Sequence, residues 1–187
     1  MAKQNGWQVM TYKEFSAHTH KSISAMIEEY DNDGFVIWSK RHNAFVICYN
    51  SVLPRNVVRW TIMHEIGHIH LKHVTPHNPI MARVRTLERP ALEIEAQGFA
   101  RRVLCPSIVL HGCEAFEPGE IQALCGISHA AAVYRSGYIK SLEQRNMFCV
   151  HPLEQAVKQQ FESFVRRYLL LKYRNLFLHE SGEEKMA

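Results

Sequence analysis

Residues 61–73 read TIMHEIGHIHLKH, and inside them His64-Glu65-Ile66-Gly67-His68 forms an H-E-x-x-H pattern. Residues four apart on a helix share one face, so the imidazoles of His64 and His68 can turn toward one metal ion. Glu65 lies about 100° round the helix from His64, where it can take a proton from a water at that ion without being a ligand. Ser51 and Pro54 read as the opening of this helix, since proline is favoured in the first turn. Val57, Thr61, His64, Glu65 and His68 then recur at helical spacing. The competing reading is a helix whose histidines merely line a core or a surface.

Two histidines do not complete a metal site with an open position, which takes three protein ligands. A third histidine in the spacing H-E-x-x-H-x-x-G-x-x-H is excluded, because Leu71 stands at the glycine and Val74 at the last histidine. His70 and His73 are too near in sequence, and wrongly phased, to join from the same helix. The other solution is a carboxylate from a second helix, and residues 90–104, PALEIEAQGFARRVL, supply one before Cys105-Pro106 closes it. Its apolar face is read as Leu92, Ala96, Phe99, Ala100 and Val103. Glu95, at helical spacing from Leu92 and Phe99, is the expected third ligand; Glu93 is the alternative. Either could instead be a solvated glutamate favouring the positive end of the helix.

Upstream, residues 12–30 carry Phe15, Ile23, Met26, Ile27 and Tyr30 in a pattern that predicts helix, and Asp31-Asn32-Asp33-Gly34 breaks it. Phe35-Val36-Ile37-Trp38 and residues 44–49 (AFVICY) predict two largely buried strands of a hairpin. Residues 74–90 lose periodicity and hold three prolines, the pattern of a connector or a flap. In residues 118–142 a short helix, a turn at Gly126, an N-cap at Ser128 and a second helix make a helix-turn-helix shape. Only Arg135 and Lys140 lie near that second helix, too little charge for a DNA reader, so the segment is read as packing on the metal-binding core. Residues 152–178 predict one long amphipathic helix, followed by a polar end.

A net charge of +4, with basic residues scattered, allows an acidic partner without arguing for one. No signal peptide or bilayer-length apolar run is visible, which places the expected location in the cytoplasm with no membrane partner. The five cysteines form no C-x-x-C pair and are read as reduced, mostly buried thiols.

HEIGHIHLKH, followed by EIEAQGFARRVLCP, resembles the ImmA/IrrE family of metallopeptidases. The hairpin leading into R-x-x-x-x-H-E-x-G-H, with Arg59 and His64, and the later stretch LCGISHAAAVYR resemble it too, so the likeness spans residues 35–142. Gln97-Gly98 departs from the family, which commonly has asparagine and then a variable residue there.

The resemblance implies an α+β fold: a mostly helical zinc-peptidase domain with a small antiparallel sheet, and a C-terminal helical region. The boundaries expected are 1–116 for the peptidase domain, 117–150 for the helix-turn-helix-like segment packed on it, and 151–187 for the terminal helix and tail. It also implies one Zn2+ per chain on His64, His68 and Glu95, with Glu65 as the base. The substrate it implies is a regulatory protein, a helix-turn-helix repressor of a mobile element or stress response. The alternative is a non-catalytic, zinc-stabilised module contacting a repressor or DNA. Tyr134, Arg135 and His73 are the candidates for a further donor to the reaction's oxyanion.

Overall fold

A computed structural model of the chain describes residues 3–79 and 90–183. The chain divides into two compact units, residues 1–104 and 105–187.

The first unit is built on a three-stranded sheet of order β1-β3-β2, with β1 at Gln8–Thr11, β2 at Gly34–Ser39 and β3 at Ala44–Tyr49. β2 and β3 form the predicted hairpin, antiparallel with Val36 opposite Ile47. β1 pairs parallel to β3, Val9 opposite Ile47, so the sheet is mixed rather than wholly antiparallel. Four residues, QVMT, are too few to show a period, which is why the sequence does not announce this strand.

Both faces of the sheet are covered, and this explains the continuous apolar runs in β2 and β3. Phe35, Val46 and Cys48 point to one side and pack with Tyr12, Phe15, Met26 and Tyr30. Those partners come from α1 (Tyr12–Thr19) and α2 (Ile23–Glu29). The single helix expected over residues 12–30 is therefore two. α1 opens on a capping box between Thr11 and Glu14 and ends at His20, whose φ of 58° is left-handed; α2 restarts behind the N-cap Ser22.

Val36 and Ile47 point to the other side, with Trp38 and Phe45, and meet Ile66, Ile69 and Val74. The covering helices are α3 (Arg55–His70) and α4 (Pro90–Leu104). Pro54 is the N-cap of α3 and gives no side-chain bond, so Ser51 plays no part in the opening. Two glycines set the spacing of these layers. A Cβ on Gly34 would stand 2.4 Å from Thr61 Cγ2 and 2.8 Å from the Cys48 carbonyl oxygen, so β2 lies directly on α3. A Cβ on Gly67 would stand 3.2 Å from the Ala96 carbonyl oxygen and 3.3 Å from its Cα, so α3 and α4 touch backbone to backbone.

The second unit contains α5 (Ser107–Gly112), α6 (Pro118–Cys125), α7 (His129–Gln144) and α8 (Pro152–Glu183). The helix-turn-helix shape is present: α6 ends at Gly126 with φ 61°, and Ser128 Oγ accepts from the Ala131 N–H. Arg135 is buried and donates to the Cys105 carbonyl, while Lys140 pairs with Glu117 at 2.8 Å. α8 packs on α5, with Val165 against Gly112, and its Lys172 pairs with Glu120 of α6 at 2.7 Å. All five cysteines are free thiols, four of them buried. Among the described residues no helix is long and apolar enough to cross a membrane.

The irregular stretch expected over residues 74–90 is described only to residue 79. There Thr75 and Asn78 form a tight bridge, and the Trp38 N–H of β2 donates to the Pro79 carbonyl at 2.8 Å. Residues 80–89 lie outside the described residues.

Candidate metal centre

α3 carries His64 and His68 one turn apart, and the close seat that Gly67 gives α4 brings a carboxylate to both. That carboxylate is Glu93. His64 Nε2 lies 3.0 Å from Glu93 Oε2, His68 Nε2 lies 3.4 Å from Glu93 Oε1, and the two Nε2 atoms are 3.0 Å apart. Ligands held at about 2.0–2.1 Å round a tetrahedral ion are separated by roughly 3.3 Å, and here one donor atom from each of the three residues lies within 4.8 Å of the others, close enough to share an ion. Two imidazoles and one carboxylate, with one side toward a cleft, also match the donor set of an open zinc site. The three are the His/Glu group able to hold an ion among the described residues.

Glu95, the expected third ligand, stands outside this group, and Glu93, the alternative, stands in it. The face of α4 turned to α3 is the ridge Ala96, Ala100 and Leu104, the helix's fully buried residues. Glu93 falls within that sector. Glu95 lies about 100° from Ala96 on the opposite side, and its side chain is 57% exposed against 25% for Glu93. Glu95 instead meets His73, its Oε2 being 3.0 Å from His73 Nε2. His73 in turn places Nδ1 3.0 Å from His68 Nδ1. His70 faces away from the triangle and stacks on Phe99 with ring centroids 5.4 Å apart.

The electrostatics follow from burial. Partial burial opposes ionisation of Glu93, but hydrogen bonds with His64 and His68 outweigh it and hold its carboxyl far below the usual range. Desolvation lowers the pKa of His68, favouring the neutral ring that a metal ligand must present. Glu65 is 6% exposed. Burial first, then the nearby charges of Glu93 and Asp31, push it up to about 8, against the pull of His64 and a bond from the Val36 N–H. His64 Nδ1 is buried without a hydrogen-bond partner among the described residues.

His64, Glu65 and Glu93 open on a cleft of about 240 Å³ whose other walls include Tyr30, Asp31, Asp33, Trp60 and Gln97. Gln97, at the position where the sequence departs from the expected asparagine, thus lines this cleft. The acidic wall escaped the sequence reading, which took residues 31–34 only as a break. A model of the IrrE N-terminal-like domain, a peptidase family, matches residues 10–136. The chain belongs to this family. No curated protein matches the chain. The family match spans the hairpin, the H-E-x-x-H helix, the glutamate helix and the first half of α7, so His64, His68 and Glu93 all lie inside it.

Proposed function

We propose that this chain hydrolyses a peptide bond in another protein, using a divalent ion, zinc by donor type, held by His64, His68 and Glu93. The observation that carries the reading is the coincidence of three features: the convergence of His64, His68 and Glu93, the buried carboxyl of Glu65, and a cleft lined by His64, Glu65 and Glu93. When bound, the ion supplies Lewis-acid activation of water and of the scissile carbonyl. A purely structural site has no use for a base beside its first ligand, whereas hydrolysis does.

Glu65 accepts the proton of the attacking water as the new C–O bond forms, then delivers it to the amine nitrogen as the C–N bond breaks. Its burial keeps the carboxylate poorly solvated and so a stronger base than one in water. Among the donors considered for the oxyanion, Arg135 is committed to the Cys105 carbonyl and His73 to His68.

A helix-turn-helix repressor is the substrate we favour, on the family resemblance. Of the two cations nearest the chain's own helix-turn-helix, Arg135 is buried and Lys140 is paired, which weighs for protein rather than DNA as the partner. The test compares wild type with Glu65→Gln on purified candidate repressors, reading cleavage by mass spectrometry and bound metal by elemental analysis. Wild type is expected to cut, and the variant to keep its metal while losing about 10²–10⁴-fold in rate. Undiminished cleavage by the variant removes Glu65 from the mechanism. Retained metal with no substrate ever cut favours a binding module.

A further inference from the structure

We propose that His73 and Glu95 are positioning residues: Glu95 orients His73, and His73 holds the ring of His68 in the one tautomer that turns an Nε2 lone pair toward the metal. This rests on the metal-binding reading above. The protons allow one arrangement. If His68 Nε2 serves as ligand, its ring proton sits on Nδ1 and must be donated. The atom 3.0 Å away is His73 Nδ1, which must then accept. The proton of His73 is thereby placed on Nε2, and the atom 3.0 Å from Nε2 is a carboxylate oxygen of Glu95, an acceptor. Every donor meets an acceptor, and the chain Glu95–His73–His68 ends at the coordination face.

The backbone is built to keep His73 there. α3 ends at His70, and Lys72 takes a left-handed φ of 61°, which turns the chain back over its own last turn. The His73 N–H donates to the His68 carbonyl at 2.9 Å, and the Asn78 side-chain amide donates to the His73 carbonyl at 2.9 Å. Backbone bonds on both sides of the residue leave the imidazole, 4% exposed, no role except its two side-chain contacts. The other histidine of the triangle has no such brace, since His64 Nδ1 is without a partner among the described residues. Partners of this kind orient a ligating imidazole and raise its basicity, and losing one weakens metal binding about 10- to 100-fold.

The test measures zinc affinity, by competition with a chromophoric chelator, for wild type, His73→Ala, His73→Asn, Glu95→Ala and the double variant His73→Ala/Glu95→Ala. Circular dichroism and melting of the metal-free proteins report on folding. His73→Ala should bind about 10- to 100-fold more weakly. His73→Asn, whose Oδ1 can take the place of Nδ1 as acceptor, should recover most of that loss. Glu95→Ala should cost less than His73→Ala, and the double variant should bind no worse than His73→Ala alone, because both act through one ring. The ¹⁵N spectrum of the zinc-loaded protein should show His68 protonated at Nδ1.

Wild-type affinity in His73→Ala, additive losses in the double variant, or coordination of His68 through Nδ1 would each overturn the assignment. Should His73→Ala fail to fold, His73→Asn, Glu95→Ala and the spectrum decide it. A wild-type chain that binds no divalent ion defeats the proposed function itself, which separates the two failures.

Discussion

Gly67→Ala tests the claim that one missing side chain sets the width of the metal site. The added Cβ would sit 3.2 Å from the Ala96 carbonyl oxygen and from Phe99 Cδ1, and 3.3 Å from Ala96 Cα. Comfortable contacts between such atoms begin at about 3.5–4.0 Å, so α4 has to retreat by roughly 0.4 Å at Ala96. Two effects on stability oppose each other. Alanine in place of glycine inside a helix gains about 1 kcal/mol, and overpacking costs about 1–3 kcal/mol. The metal-free protein should therefore lose no more than about 2 kcal/mol. The ion is less forgiving. Glu93 lies one turn before Ala96, and ligand distances tolerate about 0.2 Å, half the imposed shift. Zinc affinity should fall by about tenfold, since the flexible glutamate absorbs only part of the displacement. Denaturant melts of the metal-free protein and chelator-competition titrations measure the two quantities separately. A variant that binds zinc within about twofold of wild type would refute the link between helix spacing and coordination.

Three further outcomes follow from the same geometry. Glu93→Gln should weaken zinc binding by more than the roughly 100-fold that marks the upper range for outer partners, and Glu95→Gln by less than tenfold; the reverse order in a metal titration would restore the sequence-based ligand choice. Gly34→Ala should destabilise the first unit by at least about 1–3 kcal/mol in a chemical melt, because its Cβ meets both Thr61 and the rigid Cys48 carbonyl. An unchanged melt would show that β2 does not press on α3. Glu65→Gln should leave zinc affinity within about threefold of wild type while cutting turnover by about 10²–10⁴-fold, and lost metal in that variant would make Glu65 a ligand rather than a base.

The parts of this fold that repeat along the sequence were legible in it. The H-E-x-x-H helix, Pro90–Leu104, the hairpin, and the Gly126–Ser128 turn all carry periodicity or cap chemistry, and all are present. The choice between Glu93 and Glu95 was not, because it depends on which side of α4 faces α3. A hydrophobicity reading weights large side chains, and so centred the face on Leu92 and Phe99. Backbone-close packing selects small ones, so the true ridge is Ala96 and Ala100 opposite Gly67. Small residues in register on two helices were the signal that could have pointed to Glu93. The partnership of His73 with His68 was hidden for another reason: a helical wheel does not represent a chain that doubles back through a left-handed Lys72.

β1 has one more consequence. Residues 8–11 occupy one rim of β3, whose six residues AFVICY hold no charge and no proline. Such a segment, left open along one side, is a template for adding identical strands, the route by which natural sheets aggregate into fibrils. The short opening strand therefore acts as a guard as much as a structural member. A truncation that begins after Thr11 should raise self-association through β3, read by light scattering against the full chain.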